Sequence, residues 1–179
     1  MRRLLELAAL LVALPAGAVE IDWVYVGNPC NRPDWQLNCL PLDVGSPVCG
    51  SVPYAYYISK YEVTNAQYAE FLNAKAASDP LGLFNSSVAS DYMGITRSGV
   101  SGSYAYSVIA GRGSKPVNFV SFYDSLRFAN WLNNGQGSGD TETGAYTLLG
   151  GTATPSNGSA VTRNVGANIV LPSENEWYK

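Results

Sequence analysis

Three points along the chain carry one signal. An extended-looking run ends in Thr64, Ser121 or Ser173, and three residues later comes Gln67, Asp124 or Glu176. A hydroxyl followed at that spacing by an amide or carboxylate caps a helix N-terminus, because the hydroxyl accepts from the N3 amide while the N3 side chain reaches back to the cap. The chain therefore steps from strand to helix three times, which favours an α+β domain over an all-helical or all-strand one. The third step falls at residues 171–179, LPSENEWYK, where the sequence ends in the first turn of its helix. On that reading the chain is the N-terminal part of a longer domain, truncated at the C-terminus, with Trp177 and the other helix faces short of their cover.

The first helix is expected from about Asn65 to Ala76. Val63 and Tyr68 occupy staple positions around the Thr64 cap, Tyr68, Phe71 and Leu72 form an apolar stripe, and Asp79-Pro80 stops the run. The second is expected over 122–133, burying Phe122, Leu126, Ala129 and Trp131 or Leu132, with Gly135 beyond its end. Alternation of apolar residues predicts strands at 21–26, 54–61, 104–109 and 145–149, with 169–171 the last before the third helix. The Gly- and Ser-rich stretch 81–103 reads as surface loop. With 18 Gly, 10 Pro and 12 Tyr in 179 residues, the domain should be loop-rich with aromatic-lined strands.

Residues 1–18 have the layout of an export signal: Arg2 and Arg3, an apolar run from Leu4 to Leu14, and the small residues Ala16, Gly17 and Ala18 before a cleavage point. The mature domain then spans 19–179, in the periplasm or outside the cell, with no membrane attachment after cleavage. Removing two Arg and one Glu leaves 9 basic against 13 acidic residues, which gives nucleic acid no electrostatic purchase. Residues 27–53 form an irregular excursion that carries Cys30, Cys39 and Cys49, separated by eight and nine residues. That is neither a redox CxxC nor a zinc spacing, so a local disulfide with a third cysteine free or paired elsewhere is the expectation.

The chain contains no histidine. It holds no Ser-His-Asp triad, Cys-His pair, His-ligated zinc or facial-triad iron. Gly111-Arg112-Gly113 lacks the spacing of a phosphate-binding loop.

Residues 60–73, KYEVTNAQYAEFLN, residues 115–132, KPVNFVSFYDSLRFANWL, and residues 171–177, LPSENEW, together resemble the formylglycine-generating enzyme family, also called sulfatase-modifying factors. The resemblance covers residues 54–179 with its three signatures in the family's order. It implies an irregular C-type-lectin-like α+β domain, in which two main helices pack on small antiparallel sheets. Its motif residues would be structural, with caps at Thr64, Ser121 and Ser173, their partners Gln67, Asp124 and Glu176, and core contacts at Phe71, Trp131 and Trp177. Family enzymes oxidise a cysteine of a client sulfatase to formylglycine with oxygen, using Cu(I) held by two thiolates and a separate calcium. Those residues and most of the peptide-binding groove lie in the family's C-terminal part, so the resemblance assigns no catalytic, cofactor or metal residue within this span. Cys30, Cys39 and Cys49 lie upstream of the first signature and match no catalytic position. A related set of sulfoxide-forming iron enzymes draws its ligands from histidines, which this chain lacks. Two functions follow as expectations: the N-terminal portion of an exported formylglycine-generating oxidoreductase, inactive as this fragment, or a non-catalytic binding module for a protein, peptide or glycan on the same scaffold.

Overall fold

The computed structural model describes residues 18–33, 50–86 and 92–179. The export run before Ala18, Cys39, Cys49 and most of the excursion around them lie outside the described residues.

The order of elements is β1 (Trp23–Val26), β2 (Tyr56–Ser59), α1 (Asn65–Lys75), β3 (Ile95–Ser98), β4 (Ala105–Val108), α2 (Phe122–Asn133), a 3₁₀ turn at Gly158–Ala160 and α3 (Glu174–Tyr178). The strands form two antiparallel pairs, β1 with β2 in the register Tyr25 to Tyr57, and β3 with β4 in the register Arg97 to Tyr106. The fold is α+β and loop-rich, with small antiparallel sheets beside two main helices.

All three caps form. Thr64 Oγ1 accepts from Gln67 N–H at 3.3 Å while Gln67 Oε1 accepts from Thr64 N–H at 2.9 Å. Ser173 and Glu176 repeat the reciprocal pair, and Ser121 accepts from Asp124 N–H at 3.2 Å. Helix α2 covers residues 122–133 as expected and closes in a Schellman turn: Gln136 N–H donates to Trp131 O at 2.8 Å and Gly135 N–H to Leu132 O. Gly135 sits at φ 82°, where a Cβ would be strained. Helix α1 stops at Lys75 with Ala76 as its cap residue.

The two helices meet through aromatic rings. Phe71 of α1 lies edge-on to Phe128 of α2 at 5.4 Å and tilts against Trp131 at 5.3 Å, with Tyr68 closing the cluster. Strand β4 is pinned to α1 by Asn73, which accepts from Tyr106 N–H at 2.9 Å and donates to Tyr106 O at 2.8 Å. A second cluster joins Leu126 and Ala129 to Ala145, Tyr146 and Leu148.

Four expectations are corrected. Phe122 is 61% exposed, because the first turn of α2 projects from the core and leaves burial to Leu126 onward. Trp177 is 62% exposed, because Glu176 is the residue of α3 that turns inward. Part of 81–103 is strand: β3 contains one buried apolar residue, Ile95, and its polar neighbour Arg97 is held over the rings of Phe84 and Tyr104. Residues 145–149 and 169–171 are not strands. Alongside an isolated bridge of Tyr146 with Arg163 and a bond from Leu148 N–H to Glu142 O, their backbone finds side-chain partners. Asn130 Oδ1 accepts from Tyr146 N–H at 2.7 Å, Asn133 Oδ1 from Asn168 and Ile169 N–H, and the Tyr146 hydroxyl from Leu171 N–H.

Candidate functional site: an apolar cleft

Between the β1–β2 pair, the C-terminal half of α2, residues 168–172 and α3 lies an open cleft of about 770 Å³. Its floor includes Phe128 and Leu132 of α2, which belong on their other side to the core shared with α1. Trp23, Tyr57 and Trp177 stand on its walls, with Tyr57 65% exposed and in ring contact with Tyr25 at 5.4 Å. Isolated exposed apolar residues are ordinary on a protein surface, but contiguous aromatics around a concave apolar floor leave apolar area that another chain segment can cover.

One buried polar cluster fixes the cleft's edge. Glu176 is 6% exposed and receives Arg163 Nη1–H at 2.9 Å on one oxygen and Nη2–H at 2.5 Å on the other. The Tyr54 hydroxyl donates to it at 2.8 Å and the Ser173 backbone N–H at 2.6 Å, while the Tyr56 hydroxyl donates to the Glu176 carbonyl. Burial alone would raise the Glu176 carboxyl. The Arg163 guanidinium, the Ser173 amide and the Tyr54 hydroxyl outweigh it and hold the group at about 2. Glu176 raises Arg163 in turn. The carboxylate is fully engaged and fastens α3 to residues 54–56, so its chemistry is that of a positioning group.

A second buried ion cluster supports α2 from the opposite side. Arg127 is fully buried and contacts Asp124 at 3.3 Å, Glu142 at 2.6 Å, and the carbonyls of Thr152 and Ala153 at 2.7 and 3.0 Å. Burial pushes the Asp124 carboxyl up, against the opposing pull of Ser121 and Arg127.

The sequence-derived residues fall into separate places. Thr64 with Gln67, and Ser121 with Asp124, cap α1 and α2; Phe71 and Trp131 meet in the core; Glu176 and Trp177 line the cleft, on the helix that Ser173 caps. Cys30 is an exposed free thiol and the sole cysteine among the described residues. Neither Arg127 nor Arg163 stood out in the sequence. The available signal for Arg127 was its position between Leu126 and Phe128 on an apolar face, three residues after Asp124.

Against known families, residues 9–179 match the sulfatase-modifying factor enzyme 1-like domain. The chain belongs to this family. No curated protein and no solved structure matched it. The family's Cu(I) needs two thiolates, and the described residues of this member supply one, so they do not fit that ion. Nor do three or more Cys, Asp or Glu side chains converge to hold a metal ion among the described residues. None of their helices is long and apolar enough to cross a membrane.

Proposed function

We propose that this chain belongs to an exported sulfatase-modifying-factor-like protein, and that its cleft receives an apolar or aromatic segment of a protein partner. The observation that carries the reading is the cleft itself. Its volume of about 770 Å³ lies within the range of ligand sites. Its walls are aromatic, and the nearest buried charge, Glu176, is neutralised by Arg163, which suits an uncharged peptide segment.

Family membership supports a C-type-lectin-like scaffold and, for the whole protein, oxidation of a client cysteine to formylglycine. The described residues would then position the client, with the chemistry supplied outside them. The basic start, apolar run and small-residue cleavage point of residues 1–18 support export to the periplasm or extracellular space. A wholly non-catalytic binding module on the same scaffold would use the cleft in the same way.

The test is titration of the exported protein with peptides spanning the client cysteine of a sulfatase. Binding should saturate, and Trp177→Ala or Tyr57→Ala should raise Kd by about tenfold or more, as for truncation of an aromatic anchor. A Kd that neither substitution moves, or saturation by oligosaccharides in place of peptides, overturns the reading. Formylglycine in a co-expressed client, read by mass spectrometry, separates the oxidase from the module.

A further inference from the structure

The first described residues of the domain are gripped from two sides. Val19 is 6% exposed and packs in the main core with Trp131 and Leu132, while its neighbour Ala18 is exposed. Gln136 binds both backbone groups of Val19: its Oε1 accepts from Val19 N–H at 2.6 Å, and its Nε2 donates to Val19 O at 2.9 Å. Gln136 can do this because it follows the Schellman turn of α2 at φ 66°, which aims its side chain away from the helix path. One residue further, Gln67 of the α1 capping box donates from Nε2 to Glu20 O at 2.7 Å. The boundary between exposed Ala18 and clamped Val19 coincides with the bond after the small residues Ala16, Gly17 and Ala18.

We infer that Val19 is the N-terminus of the mature protein, and that its free α-ammonium is bound by Gln136 at the C-terminal end of α2. Hydrolysis of the Ala18–Val19 peptide bond adds water across it, leaving a carboxylate on the departing leader and an ammonium on Val19. Two features receive that charge. The Gln136 amide oxygen already faces the nitrogen, and a hydrogen bond from a charged donor is roughly twice as strong as one from a neutral amide. The carbonyl end of α2 carries the negative pole of the helix, which favours a cation. With Ala18 gone, the remaining ammonium hydrogens reach solvent on the side that Ala18 now faces. Cleavage thus strengthens a contact that the folded domain already makes.

The inference rests on the export reading, and two measurements separate them. The full chain is expressed in an exporting host, alongside a variant with Ser-Gly inserted between Ala18 and Val19, which keeps the leader but makes the Val19 nitrogen a peptide N–H. N-terminal sequencing of the wild-type product should begin at Val19; any other start overturns the cleavage assignment. The wild-type product should melt about 2–4 °C above the extended one, a gap typical of one lost contact in a domain of this size. In a Gln136→Ala background the gap should vanish. Equal melting of the wild-type and extended products, or a gap that survives Gln136→Ala, overturns the ammonium site even when cleavage is confirmed.

Discussion

Arg127 is a fully buried charge at the centre of an ion cluster. It neutralises Asp124 while holding Glu142 and two carbonyls of the 150s loop. Arg127→Met keeps the volume but leaves Asp124 buried without its counter-ion, so denaturant unfolding should show a loss of about 3–5 kcal/mol. Phe122→Ala, at an exposed position of the same helix, should stay within about 0.5 kcal/mol. Glu176 sets the acid limit of the cleft's edge. Its folded-state pKa lies below the unfolded value, so its contribution is whole above about pH 4.5 and is lost as the pH falls towards about 2. Melting temperatures taken across that window should decline less steeply in Glu176→Gln than in the wild type; parallel declines would refute the assignment.

The helices depend on their first turns more than on propensity. α1 has only eleven residues, marginal for a free helix in water, so its cap and its aromatic stripe share the stabilisation. Thr64→Ala removes the acceptor for Gln67 N–H and should cost about 1 kcal/mol, read by chemical denaturation. Both main helices and all three caps were legible in the sequence because hydroxyl-to-amide spacing and a 3.6-residue stripe are local signals. α2 shows this well, with bounds that match at both ends. The strands were less legible. β3 offers one apolar residue in four, and its place depends on Arg97 stacking between rings far apart in sequence. Residues 145–149 and 169–171 have strand-like alternation, but Asn130 and Asn133 occupy the backbone groups that a neighbouring strand would have used. The cleft was illegible for the same reason: its walls come from β1, β2, α2 and α3, and no local pattern brings them together.

At the scale of the molecule, exposed aromatic surface is the dominant property. Trp23, Tyr57 and Trp177 present rings around one apolar floor, and exposed Tyr25 packs against Tyr57. Such a surface attracts hydrophobic dyes and other copies of itself. The protein should bind an environment-sensitive dye in its folded state, and Trp177→Ser with Tyr57→Ser should lower both dye fluorescence and concentration-dependent scattering without lowering the melting temperature.

Two asparagines that hold loop backbone carry a chemical liability. Asn134 donates to the carbonyls of Asp140 and Thr143, and Asn157 donates to Thr147 O while accepting from Leu149 N–H. Each of these two is followed by glycine, Gly135 and Gly158, the neighbour that shields an amide least from attack by the next backbone nitrogen. Asparagine is among the thermolabile residues, and its hydrolysis would turn a donor into a carboxylate facing carbonyl oxygens. Loops held this way should age: prolonged heating should convert Asn134 and Asn157 to acids, visible by peptide mass mapping, and unfolding would then become irreversible by covalent change before it does so by aggregation.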